Sequence, residues 1–309
     1  AAAGRLLEMP EPLAALLRAM PTSAAAGDCL KAIFSADLTD PTAQKAAVAV
    51  AGNLHVLSAV IAQGSTCPDH RRAPLAKAVA VAHSALAYFG TRPELPDAGQ
   101  FAEALSSRGV LDAVGSLLLG DDPEAAFHAA DSLRLLLLAK GPAPSPPSSP
   151  SSASCLPSEV AAGGRVEALL SLLCSASHEA KVRRAAADAL HLTAARSPSV
   201  CAFLCTAGRM GLMLKAAEAE AGPPHPPQAG LPEAILSILA IIFKDEELLH
   251  QCEPPLDGQQ AAGALLAMLR RGGALLGAAV VLLEKMSRLD GVRAAFCAST
   301  IGMASIVQP

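Results

Sequence analysis

Residues 77–86 read KAVAVAHSAL, and the same pattern recurs at residues 45–54 (KAAVAVAGNL), 124–133 (EAAFHAADSL) and 181–190 (KVRRAAADAL). In every copy the residues four and eight positions before the final leucine are alanine or valine. This spacing places one apolar stripe along a helix, and its small residues let a neighbouring helix approach closely. Repetition at intervals of tens of residues predicts a stack of helices, in which each unit buries its apolar face only against its neighbours.

Two later segments look like degenerate copies, residues 231–243 around Leu239 and residues 274–286 around Leu283. The six anchor leucines are then 32, 47, 57, 49 and 44 residues apart. The longest interval contains a Pro/Ser tract, GPAPSPPSSPSSASCLPS, which we expect to form a non-helical loop. Without about 17 residues for that tract the interval shortens to about 40, a typical length for a helical repeat.

Composition favours a packed helical protein over a disordered or nucleic-acid-binding one. Of 309 residues, 52% are hydrophobic and only 3% are aromatic, with no Trp. Acidic residues number 28 against 24 basic ones, so a large cationic surface for nucleic acid is not expected. The longest apolar stretches fall short of the roughly 20 residues that a membrane crossing needs, so we predict no membrane span.

Residues 164–193 carry the clearest resemblance to a known family. A turn at Gly164 precedes a leucine-rich helix and then a long Ala-rich helix, and residues 200–208 (VCAFLCTAG) read as a short helix and the next glycine turn. This order resembles the repeat of the armadillo family. Over residues 28–307 the resemblance implies an all-α fold, a right-handed α-solenoid of about six to seven armadillo-like (ARM/HEAT-like) repeats.

The expected organisation is one solenoid domain over residues 1–309. We place an N-terminal capping helix region at residues 1–27, a Pro/Ser-rich loop insertion at residues 141–158 and a Pro-rich loop at residues 221–230. The interval of only 32 residues between Leu54 and Leu86 suggests a more HEAT-like pair near the N-terminus.

No residue pattern predicts catalysis, a cofactor or a metal site. Cys201 and Cys205 are four apart, with Cys174, His178 and His191 nearby, but buried cysteines are the commoner meaning of such a pair. The segment HEAKV at residues 178–182 has Val182 where a zinc-protease helix has its second histidine. We therefore predict that the protein is not an enzyme and has no catalytic, cofactor-binding or metal-ligating residues.

Polar positions of the repeated helix supply the candidate partner-binding residues. In the alignment Lys45, Lys77 and Lys181 share one column, which suggests either a ladder for an acidic peptide or a solvated helix face. In the nuclear-import adaptors of the family, Trp and Asn line the groove; this chain has no Trp and one such Asn, so it is not expected to bind nuclear-localisation signals. The full candidate set is Lys45, Asn53, Lys77, His128, Ser132, Lys181, Arg184 and Asp188.

The expected function is a non-enzymatic protein–protein interaction scaffold, adaptor or structural subunit of a larger assembly, with the partner along the solenoid groove or at its end. Two alternatives are a chaperone cofactor that embraces a partner domain and an organellar RNA-binding helical repeat protein. Eight scattered cysteines favour an intracellular, reducing compartment. We expect a cytoplasmic location, with cytoskeletal association or an organelle left open.

Overall fold

The structure of the chain, a computed structural model, describes residues 10–20, 23–34, 41–64, 72–92, 96–139, 156–161, 164–205, 208–221, 230–244, 257–272 and 274–298. Within these ranges the regular elements are seventeen α-helices, without a strand. The predicted all-α class is therefore confirmed. Two compact units, residues 1–168 and 169–309, are described separately.

The first unit contains helices α1 to α9. Their bounds are α1 Pro10–Ala19, α2 Ala24–Phe34, α3 Pro41–Gly52, α4 Leu54–Gly64, α5 Arg72–Gly90, α6 Pro96–Leu105, α7 Arg108–Leu118, α8 Pro123–Ala139 and α9 Leu156–Ala161. Helix α10, Arg165–Cys174, crosses the boundary between the units. The second unit continues with α11 Ala180–Ala194, α12 Pro198–Leu204, α13 Arg209–Ala221, α14 Leu231–Ile242, α15 Gly258–Arg271, α16 Ala274–Met286 and α17 Asp290–Ala298.

Helices of the first unit pack in two parallel series. Helices α2, α5 and α8 contact one another in order, and α1, α4 and α7 form a second series, each member packed on the following helix of the first. Helices α3 and α6 lie against both series. This is the arrangement of a repeat built from a short first helix, a second helix and a long third helix, and it confirms stacking of the repeats.

The second unit follows the same scheme. Helices α11, α14 and α16 form the series of third helices, while α13 and α15 form the series of second helices. The short α12 contacts α11 and α14, and α17 packs on α15. Glycine turns expected at Gly164 and Gly208 are present, with φ of 74° and 68°, values that L-residues with a side chain rarely adopt.

One of the four repeated segments is not a copy of the third helix. Residues 45–54 do not form one helix, because α3 ends at Gly52, Asn53 lies in a turn, and Leu54 begins α4. Gly and Asn are both poor helix formers, and the Asn53 carbonyl starts the new helix by accepting from the amides of Val56 and Leu57. Helix α3 therefore occupies a first-helix position, and α2 precedes α5 in the third-helix series.

The apolar stripe is buried as predicted in most copies. The side chains of Leu133, Leu190 and Leu239 are fully buried, and Leu86 is nearly so. Burial of each such leucine contributes roughly 2 kcal/mol, which the unit realises only when its neighbour is present. In α16 the stripe is displaced by one residue, because Leu282 is fully buried and the predicted anchor Leu283 is only partly so.

The predicted loops fall largely outside the described residues. Most of the Pro/Ser-rich loop at residues 141–158 and most of the Pro-rich loop at residues 221–230 are outside them. Part of the capping region at residues 1–27 is also outside, and its described part contains α1 and the start of α2. Residues 156–158 correct one boundary, since they already belong to α9 and not to the loop. Among the helices that the structure describes, no individual one has both the length and the apolar composition needed to cross a membrane.

Candidate functional site

A polar cluster flanked by two cavities lies along the junction of α5 and α8. On α8 the residues involved recur every three or four positions, so they share one face of that helix. We call this surface the α5–α8 face and define it by Lys77, His83 and Leu86 of α5 and Glu124, His128, Asp131, Arg134 and Leu138 of α8.

Asp131 connects the two helices at the centre of the face. Its Oδ2 accepts a hydrogen bond from Nε2 of His83 at 2.7 Å. Arg134 of the same helix donates to the carboxylate through Nε and, at 3.1 Å, through Nη2. The side chains of His83 and Asp131 are each 13% exposed, so this hydrogen-bond network is mostly shielded from water.

The charge of Asp131 is fixed by these partners. Burial pushes the pKa of the carboxyl up, but the hydrogen bonds from His83 and Arg134, with their positive charge, outweigh burial and lower it to about 2. Asp131 is therefore a carboxylate near neutral pH. An ionised carboxylate only accepts hydrogen bonds, so Nε2 of His83 must carry the proton.

His128 extends the cluster along α8. Its Nδ1 lies 3.1 Å from Nδ1 of His83, and the ring centroids of the two histidines are 4.8 Å apart. Nε2 of His128 is 3.7 Å from Oε1 of Glu124, within ion-pair reach. The ring of Phe127 packs edge-on against His83 and shields the pair on one side.

A charged cavity lies at the N-terminal end of the face. It has a volume of about 130 Å³, and Lys77, Asp122, Glu124 and His128 contribute its polar lining. Nζ of Lys77 is 2.5 Å from Oδ1 of Asp28 on α2. Asp122 also caps the start of α8, because its Oδ1 accepts from the amides of Glu124 and Ala125 at 2.9 and 3.3 Å.

A larger apolar cavity lies at the C-terminal end of the face. Its volume is about 560 Å³, and α6 forms one wall. Leu86, Leu135 and Leu138 supply apolar surface, and Arg134 reaches its edge from the polar cluster. Leu138 is 47% exposed and makes this apolar surface accessible from outside. The cavity therefore offers space for a bulky apolar group beside a cation.

The structure brings only two of the eight predicted partner-binding residues, Lys77 and His128, onto this face. Lys45 is exposed but lies on α3, outside the third-helix series. Asn53 is 9% exposed, and its Nδ2 donates to the Ala49 carbonyl at 3.0 Å, which caps the end of α3. Ser132 is buried inside α8, with its Oγ making no hydrogen bond to the described residues.

The remaining three predicted residues are on α11 and serve the second unit. Nζ of Lys181 is 3.0 Å from the Glu179 carboxylate. Arg184 donates to Asp188 at 3.0 Å and to the carbonyl of Gly230, where α14 begins. The three predicted lysines therefore do not form one continuous cationic column, because Lys45 leaves the series and the other two have acidic neighbours.

The cysteine pair considered as a metal site is part of the core. Cys201 and Cys205 are 6% and 2% exposed, and Sγ of Cys201 donates to the Ala194 carbonyl at 3.3 Å. Cys174 is partly buried, and burial raises the pKa of its thiol to about 11. In the part of the chain that the structure describes, no three His, Cys, Asp or Glu side chains converge as a metal site would require.

His83, Asp131 and Arg134 are the residues that sequence reasoning missed. His83 is three residues before its anchor leucine and His128 five residues before its own, so the repeat alignment does not pair them. No signal in the repeat pattern could have found the contact, because positions three and five residues before the leucine lie on different faces of a helix.

Comparisons with known proteins identify the fold. The crystal structure of one engineered protein matches at 16% identity over 89% of this chain and 96% of its own, with a TM-score of 0.53. The crystal structure of a second engineered protein matches at 19% identity over 89% of this chain and 98% of its own, with a TM-score of 0.56. A designed armadillo repeat protein in complex with the peptide (KR)4 matches at 17% identity over 88% of this chain and 98% of its own, with a TM-score of 0.57. No protein-family model matches the sequence, and no curated protein does. The chain thus has an armadillo-like helical-repeat fold.

Proposed function

We propose that this chain is a non-enzymatic scaffold that binds an extended segment of a partner protein along the α5–α8 face. The observation that carries the proposal is the continuity of this face. A charged cavity, a hydrogen-bonded polar cluster and an apolar cavity follow one another on the same two helices. An extended peptide needs such alternating polar and apolar contacts to gain both affinity and direction.

The apolar cavity is the expected anchor point. A leucine-sized or larger side chain would bury its surface against Leu86, Leu135 and Leu138. Arg134 at the edge would face the polar backbone or a carboxylate of the same segment. Because the helices are already packed, binding requires little reorganisation, and the contacts contribute to affinity with a small ordering cost.

A protein partner is favoured over RNA, which is the second alternative function, because the candidate lysines have acidic neighbours. Lys77 pairs with Asp28 and Lys181 with Glu179, so neither presents its charge alone. A chaperone-cofactor role would use the same kind of surface and differs only in the partner. We further propose membership in a multi-subunit assembly, because a chain with 52% hydrophobic and only 17% charged residues normally has part of its exterior covered. Eight scattered cysteines favour a reducing intracellular compartment.

Site-specific photo-crosslinking tests the proposal. A photoreactive amino acid is placed at Leu138 on the face, or at Leu119, which is 69% exposed and lies at the end of α7 as a matched control. Illumination in native extract should give a discrete crosslinked partner peptide from position 138 and not from position 119. This product should be lost when Ala139, an exposed residue of the same cavity, is replaced by Glu. Equal crosslinking from both positions, or none from position 138, would contradict the proposal.

A further inference from the structure

The hydrogen bond between the two histidines of the α5–α8 face joins α5 to α8 through a single proton. Nδ1 of His83 lies 3.1 Å from Nδ1 of His128, and the ring centroids are 4.8 Å apart. A hydrogen bond between two ring nitrogens needs one nitrogen that carries a proton and one that has a lone pair. The contact therefore requires one proton between the rings and does not tolerate two.

The neighbouring carboxylates determine where the other ring protons lie. Ionised Asp131 accepts from Nε2 of His83 at 2.7 Å, so this nitrogen keeps its proton. When both rings are neutral, Nδ1 of His83 is then the acceptor and Nδ1 of His128 is the donor. Nε2 of His128 is left as the bare nitrogen of the pair, and it lies 3.7 Å from Oε1 of Glu124.

Proton uptake by the pair has two different consequences. A first proton binds at Nε2 of His128, where the Glu124 carboxylate attracts it, and the hydrogen bond between the rings persists because the proton between them remains. The positive charge is then shared by two rings that lie between two carboxylates. A second proton has to enter between the rings, where it sets N–H against N–H and breaks the hydrogen bond.

From this geometry we propose that His83 and His128 form a pH-sensitive clasp between α5 and α8, which takes up one proton without opening and opens when a second is bound. Histidine is the side chain that ordinarily changes charge between pH 5 and 8, which makes a histidine pair suited to this role. The charge on His128 also alters the charged cavity that this residue lines. The clasp thus regulates the face that we propose as the partner site, and only this consequence rests on the proposed function.

Charged side chains from three helices surround the pair. On α8 with its cap, on α5 and on α2 these are Asp122, Glu124, Asp131, Arg134, Lys77 and Asp28. Arg134 holds Asp131 in place, and Nζ of Lys77 is 2.5 Å from Oδ1 of Asp28. On the other helices packed against α5, the titratable side chains whose burial the structure describes are exposed to water; they are Lys45, His55, Glu103, Arg108 and Asp112. The two rings are only 13% and 16% exposed, so the carboxylates beside them act with little competition from water.

Nitrogen-detected NMR of the full chain during a pH titration tests the clasp, because nitrogen shifts distinguish a protonated ring nitrogen from a bare one. At pH 7.5 we expect His83 to be protonated at Nε2 and His128 at Nδ1, which are opposite tautomers. Between roughly pH 7.5 and 5 the pair should take up about one proton in total, whereas the exposed His55 of α4 takes up one by itself. Protonation of both rings at Nε2 alone at pH 7.5, or uptake of two protons by the pair over the same range as His55, would overturn the proposal.

Three variants identify the origin of these signals. His128→Gln removes one ring and should abolish the resonance of the proton shared by the two Nδ1 atoms, whereas the control His55→Gln should leave that resonance in place. Asp131→Leu keeps both rings and provides the test if the His128 variant fails to fold. Without the carboxylate, His83 should populate both of its neutral tautomers, and an unchanged single tautomer would count against the clasp.

Amide hydrogen exchange at lower pH tests the opening. Loss of the shared-proton resonance should coincide with faster exchange in α5 and α8, after correction for the intrinsic effect of pH, and not in α13 and α15 of the second unit. Equal acceleration in both units would mean global acid unfolding and would overturn the local opening. Because no partner protein is present in these measurements, their failure would leave the proposed scaffold function intact.

Discussion

Arg183 is a charged side chain inside the second unit, and two hydrogen-bonding partners make its burial tolerable. It is only 4% exposed; its Nε donates to the Leu173 carbonyl at 3.0 Å, and its guanidinium forms an ion pair with Glu220. Glu220 is itself mostly buried, with 15% of its side chain exposed. In such a pair the loss of one charge leaves the other desolvated and uncompensated, which costs more than the intact pair contributes.

Replacement of Glu220 should therefore be costly. We expect Glu220→Ala to lower the free energy of unfolding by about 3–5 kcal/mol, because Arg183 would be left as a buried lone charge. The matched control is Glu179→Ala, which removes a 60% exposed partner of Lys181 and should cost roughly 0–1 kcal/mol. Urea unfolding followed by circular dichroism measures both. Similar costs for the two variants would mean that the Arg183–Glu220 pair is solvated.

His191 makes the stability depend on pH. Burial lowers its pKa below the usual 6.5, and Arg184 and Lys244 add to this effect although Asp188 opposes it. The unfolded chain then binds a proton more readily than the folded one, so stability is retained above pH 6.5 and lost as the pH falls below it. His191→Gln should reduce the drop in urea midpoint between pH 7.5 and pH 5. An unchanged drop would contradict this assignment.

At the scale of the element, the start of α14 depends on a glycine. Gly230 has a φ of 89°, in the left-handed region, and its carbonyl accepts from Arg184 of α11. A Cβ added at this position would collide with the Arg184 guanidinium. The left-handed backbone therefore favours glycine here, and any side chain would also displace the end of Arg184.

Two glycine substitutions should act in opposite directions. Gly230→Ala should destabilise the protein by about 2 kcal/mol, from the left-handed backbone and the displaced arginine. Gly263→Ala, within α15 where an added Cβ has nothing within 4 Å, should stabilise it by about 0.5–1 kcal/mol. Thermal and urea unfolding of the two variants side by side provide the comparison. Equal destabilisation by the two variants would contradict the specific requirement for glycine at position 230.

Sequence alone predicted the elements better than the site. Leu133 and Leu190 are fully buried and stand at the same position of the repeated helix. This local periodicity is enough to predict both the all-helical class and the stacking of the repeats. The similarity of residues 45–54 was misleading because Gly52 and Asn53 divide that segment between two helices. The contact between His83 and His128 depends on how two repeats are aligned along each other, which no single repeat encodes.

At the scale of the molecule, an exposed apolar patch on α16 bears on association. Leu276, Val280 and Val281 are 46%, 49% and 46% exposed, and a cavity of about 340 Å³ lies between α16 and α17. Large aliphatic side chains grouped in this way mark surfaces that other molecules cover.

This patch should promote self-association of the purified chain. We expect Val280→Lys to shift the sedimentation of concentrated protein towards the monomer, because the added charge opposes burial of the patch. Leu212→Lys changes a residue of similar exposure, 51%, on α13 outside the patch and should have little effect. Analytical ultracentrifugation over a range of concentrations distinguishes these results. An unaltered association in Val280→Lys would show that the patch is not involved.

Hydrogen–deuterium exchange of the full chain, with and without the partner peptide identified by crosslinking, tests the central claim most directly. We expect new protection confined to α5, α6 and α8, strongest around Leu86 and Leu138 at the apolar cavity. Protection centred on α15 to α17, or none on α5 and α8 at a saturating peptide concentration, would contradict it.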